Sequence, residues 1–153
     1  MSSNDIVLLS ASQLRDKIRL KQLSSEEVLV AHLEQIDRFN PKLNAIVTLC
    51  PDLGLQAARQ IDKSISRNEH IGPLAGLPVA HKDLVMTRGI RTTYGSPIFS
   101  NFIPAQDALI VERLKLAGAV TIGKTNTPEF GAGSQTFNTV FGETVNPYDI
   151  TKT

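Results

Sequence analysis

The chain has 153 residues, 41% hydrophobic, 5% aromatic and 20% charged, and its 16 Lys and Arg nearly balance 15 Asp and Glu, for a formal net charge of +1. That apolar fraction is too high for a disordered chain, and the length suits one sizeable core, so a single globular domain or part of a larger one is expected. The near-neutral balance disfavours nucleic-acid or anionic-membrane partners, and the single cysteine, Cys50, rules out an internal disulfide. His32, His70 and His81 are too scattered to form a metal site with Cys50, so neither metal nor cofactor is expected. Met1 to Ser10 carries no basic leader, and no apolar run approaches the roughly 18 residues of a membrane span, which makes the cytoplasm the expected compartment.

Two amphipathic segments come first. Leu14 and Ile18, with Ser10 or Ser12 as N-cap, predict a helix over about residues 11 to 21. Ser24 and Glu27 form a capping-box pattern ahead of Val28, Leu29, His32, Leu33 and Ile36, which mark one face of a second helix. Asn40-Pro41 disfavours helical geometry at residue 40, so this helix is expected to end near Phe39, with His32 packed on its apolar face. Ala45 to Leu49 is a β-branched run that predicts a strand, with a structural Cys50 at its end. From Pro51, Leu55, Ala58, Ile61 and Ile65 recur at helical spacing.

Asn68 to Ala75 interrupts the pattern, and the residues beyond it are rich in Gly, Pro and Thr. Leu77-Pro78-Val79-Ala80 predicts a buried strand that delivers His81-Lys82-Asp83 at its end. Met86 to Pro104 reads as a long loop of functional type. Asp107 can cap a helix carried by Ala108, Val111, Leu114 and Leu116 and closed by Gly118, after which Ala119 to Ile122 predicts a strand. This strand, loop, helix, strand order argues for an α/β sheet with parallel pairing. Thr125 to Thr153 holds little periodic pattern and reads as loops.

Gly118 to Thr125 satisfies the letters of a phosphate-binding loop, G-x-x-x-x-G-K-[ST]. The mechanism behind those letters needs a strand before the first glycine and a helix after the lysine, so that backbone amides face the phosphates. Here a helix precedes Gly118, β-formers lie between the glycines, and Thr125-Asn126-Thr127-Pro128 opens no long helix, so a core strand is expected instead.

A second set of residues carries more. Gly76-Leu77-Pro78-Val79-Ala80-His81-Lys82-Asp83-Leu84, then Gly89, Thr92-Thr93, Gly95-Ser96, Gly118-Ala119, Gly123-Lys124-Thr125-Asn126, Pro128-Glu129-Phe130, Gly131 to Thr136 and Asn146-Pro147 succeed one another in order. Together they resemble the amidase signature family of serine hydrolases. The leading helices and Asn40 to Ala45 also look like that family's N-terminal region.

The resemblance implies an acyl-enzyme mechanism run by a Ser, cis-Ser, Lys triad, in which Lys82 matches the catalytic lysine and His81 is a neighbour at a variable position. A lysine, with an ordinary pKa of about 10.4, must be held neutral to act as a base, and strand-end burial after Val79-Ala80 is expected to do this. Gly131, Ala132, Gly133 and Ser134 match the place where the family lines its substrate pocket. Neither Ser96 nor Ser134 matches a nucleophile motif. The family carries both catalytic serines in Gly/Ser-rich stretches beyond Asn146-Pro147, so these residues hold one catalytic group of three and are expected to be inactive alone.

The fold implied is the N-terminal portion of an α/β/α amidase core with a mixed sheet, preceded by two helices. It forms one partial domain, with residues 1–70 mainly helical and 71–153 starting the catalytic core. The complete enzyme would hydrolyse a small carboxylic amide. The alternatives are the glutaminase subunit of a tRNA-dependent amidotransferase and a noncatalytic amidase-derived fragment. An unpaired sheet edge would leave the chain open to self-association.

Overall fold

Three serines each open a helix, because a serine hydroxyl accepts a backbone N–H that the helix itself cannot satisfy. Ser2 and Asp5 cap α1 (Ser3–Val7), Ser10 and Gln13 cap α2 (Ala11–Arg19), and in both the N3 side chain accepts the cap residue's own N–H. Ser24 and Glu27 do the same for α3 (Ser25–Leu43): Ser24 Oγ accepts the Glu27 N–H at 3.0 Å and Glu27 Oε2 accepts the Ser24 N–H at 2.8 Å. The capping box read from the sequence is therefore formed. The expectation of two leading helices is corrected: α1 is an additional one, missed because five residues are too few to show a period.

The computed structural model describes residues 2–153 and groups them into two compact units made of interleaved segments. The first comprises the segment ending at Ile36, Cys50–Val79 and Glu112–Ile122, and the second comprises Asp37–Leu49, Ala80–Val111 and Gly123–Thr153.

In the first unit, α2, the first part of α3 and α4 (Pro51–Ser66) supply the apolar faces. Ile6, Leu14, Ile18, Leu23, Val28, Ala31 and Leu77 form its core, with Val7, Leu9, Ile65 and Leu74 packed against them. Asp62 of α4 accepts the Ser25 and Glu26 N–H groups at 2.7 and 3.1 Å, so a carboxylate satisfies two further free donors at the start of α3 and complements its dipole. After α5 (Leu109–Leu116), Gly118 turns at φ +90°, and a Cβ there would lie 2.8 Å from Ala75 Cα. Only glycine allows this approach, through which the Gly118 carbonyl accepts the Gly76 N–H at 3.0 Å.

The expected end of α3 near Phe39 is corrected: the helix runs through Asn40 and Pro41 to Leu43. Proline removes one donor, but the Asn44 N–H still reaches the Asn40 carbonyl at 2.7 Å, and Asn44 at φ +51° provides the left-handed stop. The Asn40 side chain secures the exit by accepting the Ala45 and Ile46 N–H groups at 2.9 and 2.8 Å and donating to the Ile46 carbonyl at 2.8 Å.

A three-stranded sheet has the order β1 (Ile46–Leu49), β3 (Val120–Thr125), β2 (Pro78–Lys82). β1 lies antiparallel to β3, with Ile46 opposite Thr125, Thr48 opposite Lys124, and a bulge between Ile46 and Thr48. β2 and β3 run parallel: Val120 N–H donates to the Leu77 carbonyl at 2.8 Å near one end, and Asp83 N–H to the Thr125 carbonyl at 3.0 Å near the other. The sheet is thus mixed, and β2, α5 and β3 form the parallel unit read from the sequence. The segment read as loops contains one short hairpin, β4 (Phe137–Asn138) with β5 (Gly142–Glu143). Its ladder is too short for an alternation to register; Asn138 pins it by accepting the Val140 and Phe141 N–H groups at 2.9 and 2.8 Å. Among the described residues, no helix is long and apolar enough to cross a membrane.

Candidate functional site

All the residues of interest lie in the second unit. Side chains alternate across a strand, so His81 and Lys82 at the end of β2 lie on opposite faces of the sheet. His81 is the buried one and Lys82 is exposed. The expectation that strand-end burial after Val79-Ala80 covers Lys82 is corrected: within residues 2–153 the face of β2 that carries Lys82 is open at this end.

The next residue, Asp83, is fully buried and holds the turn in place. Its N–H donates to the Thr125 carbonyl, and its own carbonyl accepts the Tyr94 N–H at 3.0 Å. Its carboxylate accepts the Thr93 N–H at 3.0 Å and the Thr93 hydroxyl at 2.5 Å. Burial pushes the Asp83 pKa up, against the Thr93 hydrogen bonds and the positive charges of Lys124 and Arg91, which favour the ionised form. Thr93 Oγ1 in turn accepts the Gly95 N–H at 3.0 Å, fixing a bend in which Tyr94 and Gly95 both have positive φ.

Lys124, read as the lysine of a spurious phosphate loop, lies inside β3 with no exposed surface. Its ammonium donates to the Val85 carbonyl, to Thr87 Oγ1 at 2.9 Å and to Thr92 Oγ1 at 3.0 Å. The strand placement agrees with the reading of Gly118 to Thr125 as a core strand. The role of this amine was not legible. Its only advance signal was a lysine closing the β-forming run Val120-Thr121-Ile122-Gly123.

Gly131 sits beside the turn after Lys82: a Cβ at this position, where φ is +75°, would lie 2.8 Å from Leu84 Cδ1. Phe130 N–H donates to the Tyr94 carbonyl at 2.7 Å, which ties the start of the glycine-rich loop to the Asp83-linked bend. Gly131, Ala132, Gly133 and Ser134 are all exposed, and Ser134 Oγ bonds Gln135 Oε1 at 2.9 Å. Ser96 is buried, and its hydroxyl has no hydrogen-bond partner among the described residues. The sequence reading also missed an aromatic group, in which Phe99 meets Tyr94, Phe102 and Phe130 at ring separations of 5.1, 5.9 and 6.2 Å.

A family model described as Amidase matches residues 27–153. The A subunit of the glutamyl-tRNA(Gln) amidotransferase of Carboxydothermus hydrogenoformans is 49% identical over 146 residues, which are 95% of this chain and 30% of that protein. The corresponding subunit of Cutibacterium acnes is 45% identical over 96% of this chain and 29% of its own length. Among solved structures, fatty acid amide hydrolase superposes with a TM-score of 0.90 at 28% identity, over 97% of this chain and 26% of its own. The native peptide amidase of Stenotrophomonas maltophilia gives 0.84 at 32% identity, over 94% and 31%. The chain spans under a third of the length of the curated relatives it matches.

Proposed function

The chain belongs to the amidase family, and from that premise we propose that Lys82 is the base of a Ser, cis-Ser, Lys triad in a hydrolase of small carboxylic amides. The observation that carries the reading is the placing of Lys82: an amine on the last residue of β2, hydrogen-bonded along β3, followed by a buried Asp83 anchored to β3 and to the Thr93–Tyr94 bend. A base must be held in one place to act in a transition state, and a strand end tied down on both sides does this better than a free loop.

The chemistry comes from the groups themselves. A neutral Lys82 takes a proton from the bridging serine, which takes one from the nucleophilic serine as that oxygen attacks the amide carbon. The tetrahedral intermediate collapses as the same relay returns a proton to the leaving nitrogen, and water then hydrolyses the acyl-enzyme by the reverse relay. Both serines belong to the Gly/Ser-rich stretches implied beyond Asn146-Pro147. A neutral amine near pH 7 needs burial or a nearby cation, so the reading requires polypeptide outside residues 1–153 to cover the β2 end. The exposed loop Gly131 to Ser134, beside Leu84, is the proposed wall of the substrate pocket, where small residues let a ligand approach backbone. Residues 1–153 are one part of that catalytic domain, and the enzyme is cytoplasmic.

The second reading, a glutaminase subunit of a tRNA-dependent amidotransferase, is favoured by the names of the relatives at 49% and 45% identity. It uses the same triad and differs in substrate and partners.

The test uses the full encoded protein. Lys82→Ala is expected to lower amide hydrolysis by about 1,000-fold or more and to suppress serine labelling by a fluorophosphonate, while His81→Ala is much milder. Undiminished turnover in Lys82→Ala, or equal losses for the two variants, overturns the assignment. Glutamine hydrolysis that rises on adding partner subunits and tRNA, with simple amides left intact, selects the second reading.

A further inference from the structure

A buried ammonium costs several kcal/mol in lost hydration unless hydrogen bonds replace the water. Lys124 is one of the largest side chains with no exposed surface in this protein, and the triad reaction gives it no task. An ammonium carries three hydrogens, and the structure sets three acceptors around Nζ: the Val85 carbonyl, the Thr87 hydroxyl and the Thr92 hydroxyl. All three lie on the stretch directly after Lys82. A lysine kept only to fill space could be replaced by an aliphatic side chain of similar volume, with no ammonium to desolvate.

The connection to Lys82 is short. Val85 N–H donates to the Lys82 carbonyl at 3.0 Å, and the Val85 carbonyl accepts from Lys124 Nζ. One peptide unit on either side of Val85 thus separates the Lys124 ammonium from the Lys82 backbone. The neighbouring residue on β3, Thr125, accepts the Asp83 N–H. Two successive β3 residues, one through its side chain and one through its backbone, therefore hold the first turn after Lys82. Thr87 and Thr92 extend the hold: Thr87 Oγ1 also donates to the Val85 carbonyl at 3.1 Å and Thr92 Oγ1 to the Ile90 carbonyl at 3.1 Å, so each hydroxyl links Lys124 to its own loop. Thr93, next in the chain, then grips the Asp83 carboxylate.

We propose that Lys124 is a positioning residue for the Lys82 end of β2, fixing the turn from Lys82 to Val85 and the loop to Thr92 through its three hydrogen bonds. This inference rests on the reading of Lys82 as the triad base. Lys124 touches no substrate. It acts by holding the backbone from which Lys82 projects, and a misplacement of about 1 Å at such a base is worth up to about 100-fold in rate.

The experiment uses the full encoded protein and two readouts. The first is amide hydrogen exchange at Val85, whose acceptor is the Lys82 carbonyl; the second is amide hydrolysis split into kcat and KM. Thr87→Val and Thr92→Val remove one acceptor each at nearly constant shape, and Thr87→Ser and Thr92→Ser restore the hydroxyl. The valine variants are expected to raise Val85 exchange about tenfold and lower kcat about tenfold with KM within about twofold, and the serine variants to return both near the parent. Lys124→Met is expected to exceed either valine variant, and the threonine series decides the matter if that variant does not fold. Unchanged Val85 exchange in both valine variants, or exchange that rises equally throughout the protein, overturns the proposal and leaves Lys124 a general stabiliser. Lys82→Ala is run alongside. If it keeps full turnover, the triad reading fails, whereas its loss of turnover together with unaltered kcat in both valine variants defeats the positioning role alone.

Discussion

Where the first unit buries Ile6, Leu14, Ile18, Leu23, Val28 and Leu29, the second buries Asp83, Thr87, Thr92, Thr93, Ser96, Lys124, Asn126, Thr127 and Asn138. Apolar burial is non-directional, so the first unit can be assembled from helices whose faces need only be apolar and of suitable volume. Polar burial is directional, and each donor needs an acceptor at hydrogen-bond distance or the group costs its full desolvation. The second unit accordingly uses strand ends, left-handed residues such as Tyr94, and a short hairpin to aim individual atoms. A core of the first kind confers stability, and a core of the second kind confers position. The candidate base lies in the second.

The contrast is sharpest if the two units respond differently to the loss of one group. Ile18 is fully buried in the helical core, and Ile18→Ala is expected to cost about 2–5 kcal/mol in chemical denaturation, with Ile18→Val costing about 0.5–1.5. Such a graded response marks an apolar core. A loss for Ile18→Val as large as that for Ile18→Ala would show that shape, and not volume, decides there.

In the second unit the expected loss is smaller but depends on pH. Thr93→Val removes the hydroxyl that donates to Asp83, at a cost of about 1–3 kcal/mol at neutral pH. Because burial raises the Asp83 pKa above its ordinary 3.8, the folded state holds this proton at pH values where the unfolded chain has released it. Stability from this group is therefore complete below pH 3.8 and is lost as pH rises through the raised folded value. Thr93→Val also removes support for the ionised form, so this window should extend upward, while Asp83→Asn should abolish it. Denaturation midpoints measured across pH read both effects. A Thr93→Val protein whose pH profile equals the parent's would show that Asp83 does not depend on Thr93.

The smallest effect belongs to the surface of the first unit. Ser24→Ala removes the hydroxyl half of the α3 capping box and is expected to cost about 1 kcal/mol, independent of pH across the neutral range. The Glu27 carboxylate is held below its ordinary range by the Ser24 backbone and side-chain hydrogen bonds, so in the parent this contribution is present at neutral pH and fades as pH falls through that lowered value. A thermal melt of Ser24→Ala at pH 7 and at pH 3 reads both statements, and equal losses at the two values would contradict the Glu27 part.

Much of this protein is decided locally and was legible without a structure. The Ser24–Glu27 cap, the helical spacing through Leu14 and Ile18, and the β-branched runs at Ile46 to Leu49 and Val120 to Ile122 each depend on residues within a turn or a strand of one another. The order of the family motifs, a property of the sequence itself, pointed to an amidase core. The features that escaped are those no local pattern encodes. The helix α3 continues through Pro41 because Asn40 and Asn44 repair its end, and the β4–β5 hairpin exists because Asn138 holds it. Strand alternation puts His81 and Lys82 on opposite faces, but only packing against the rest of the unit decides that the face of His81 is the covered one. Lys124 looked like a phosphate ligand or a strand residue. Its acceptors at Val85, Thr87 and Thr92 lie 32 to 39 positions away in sequence, so its task existed only once β3 had been laid beside β2 and the loop folded over it.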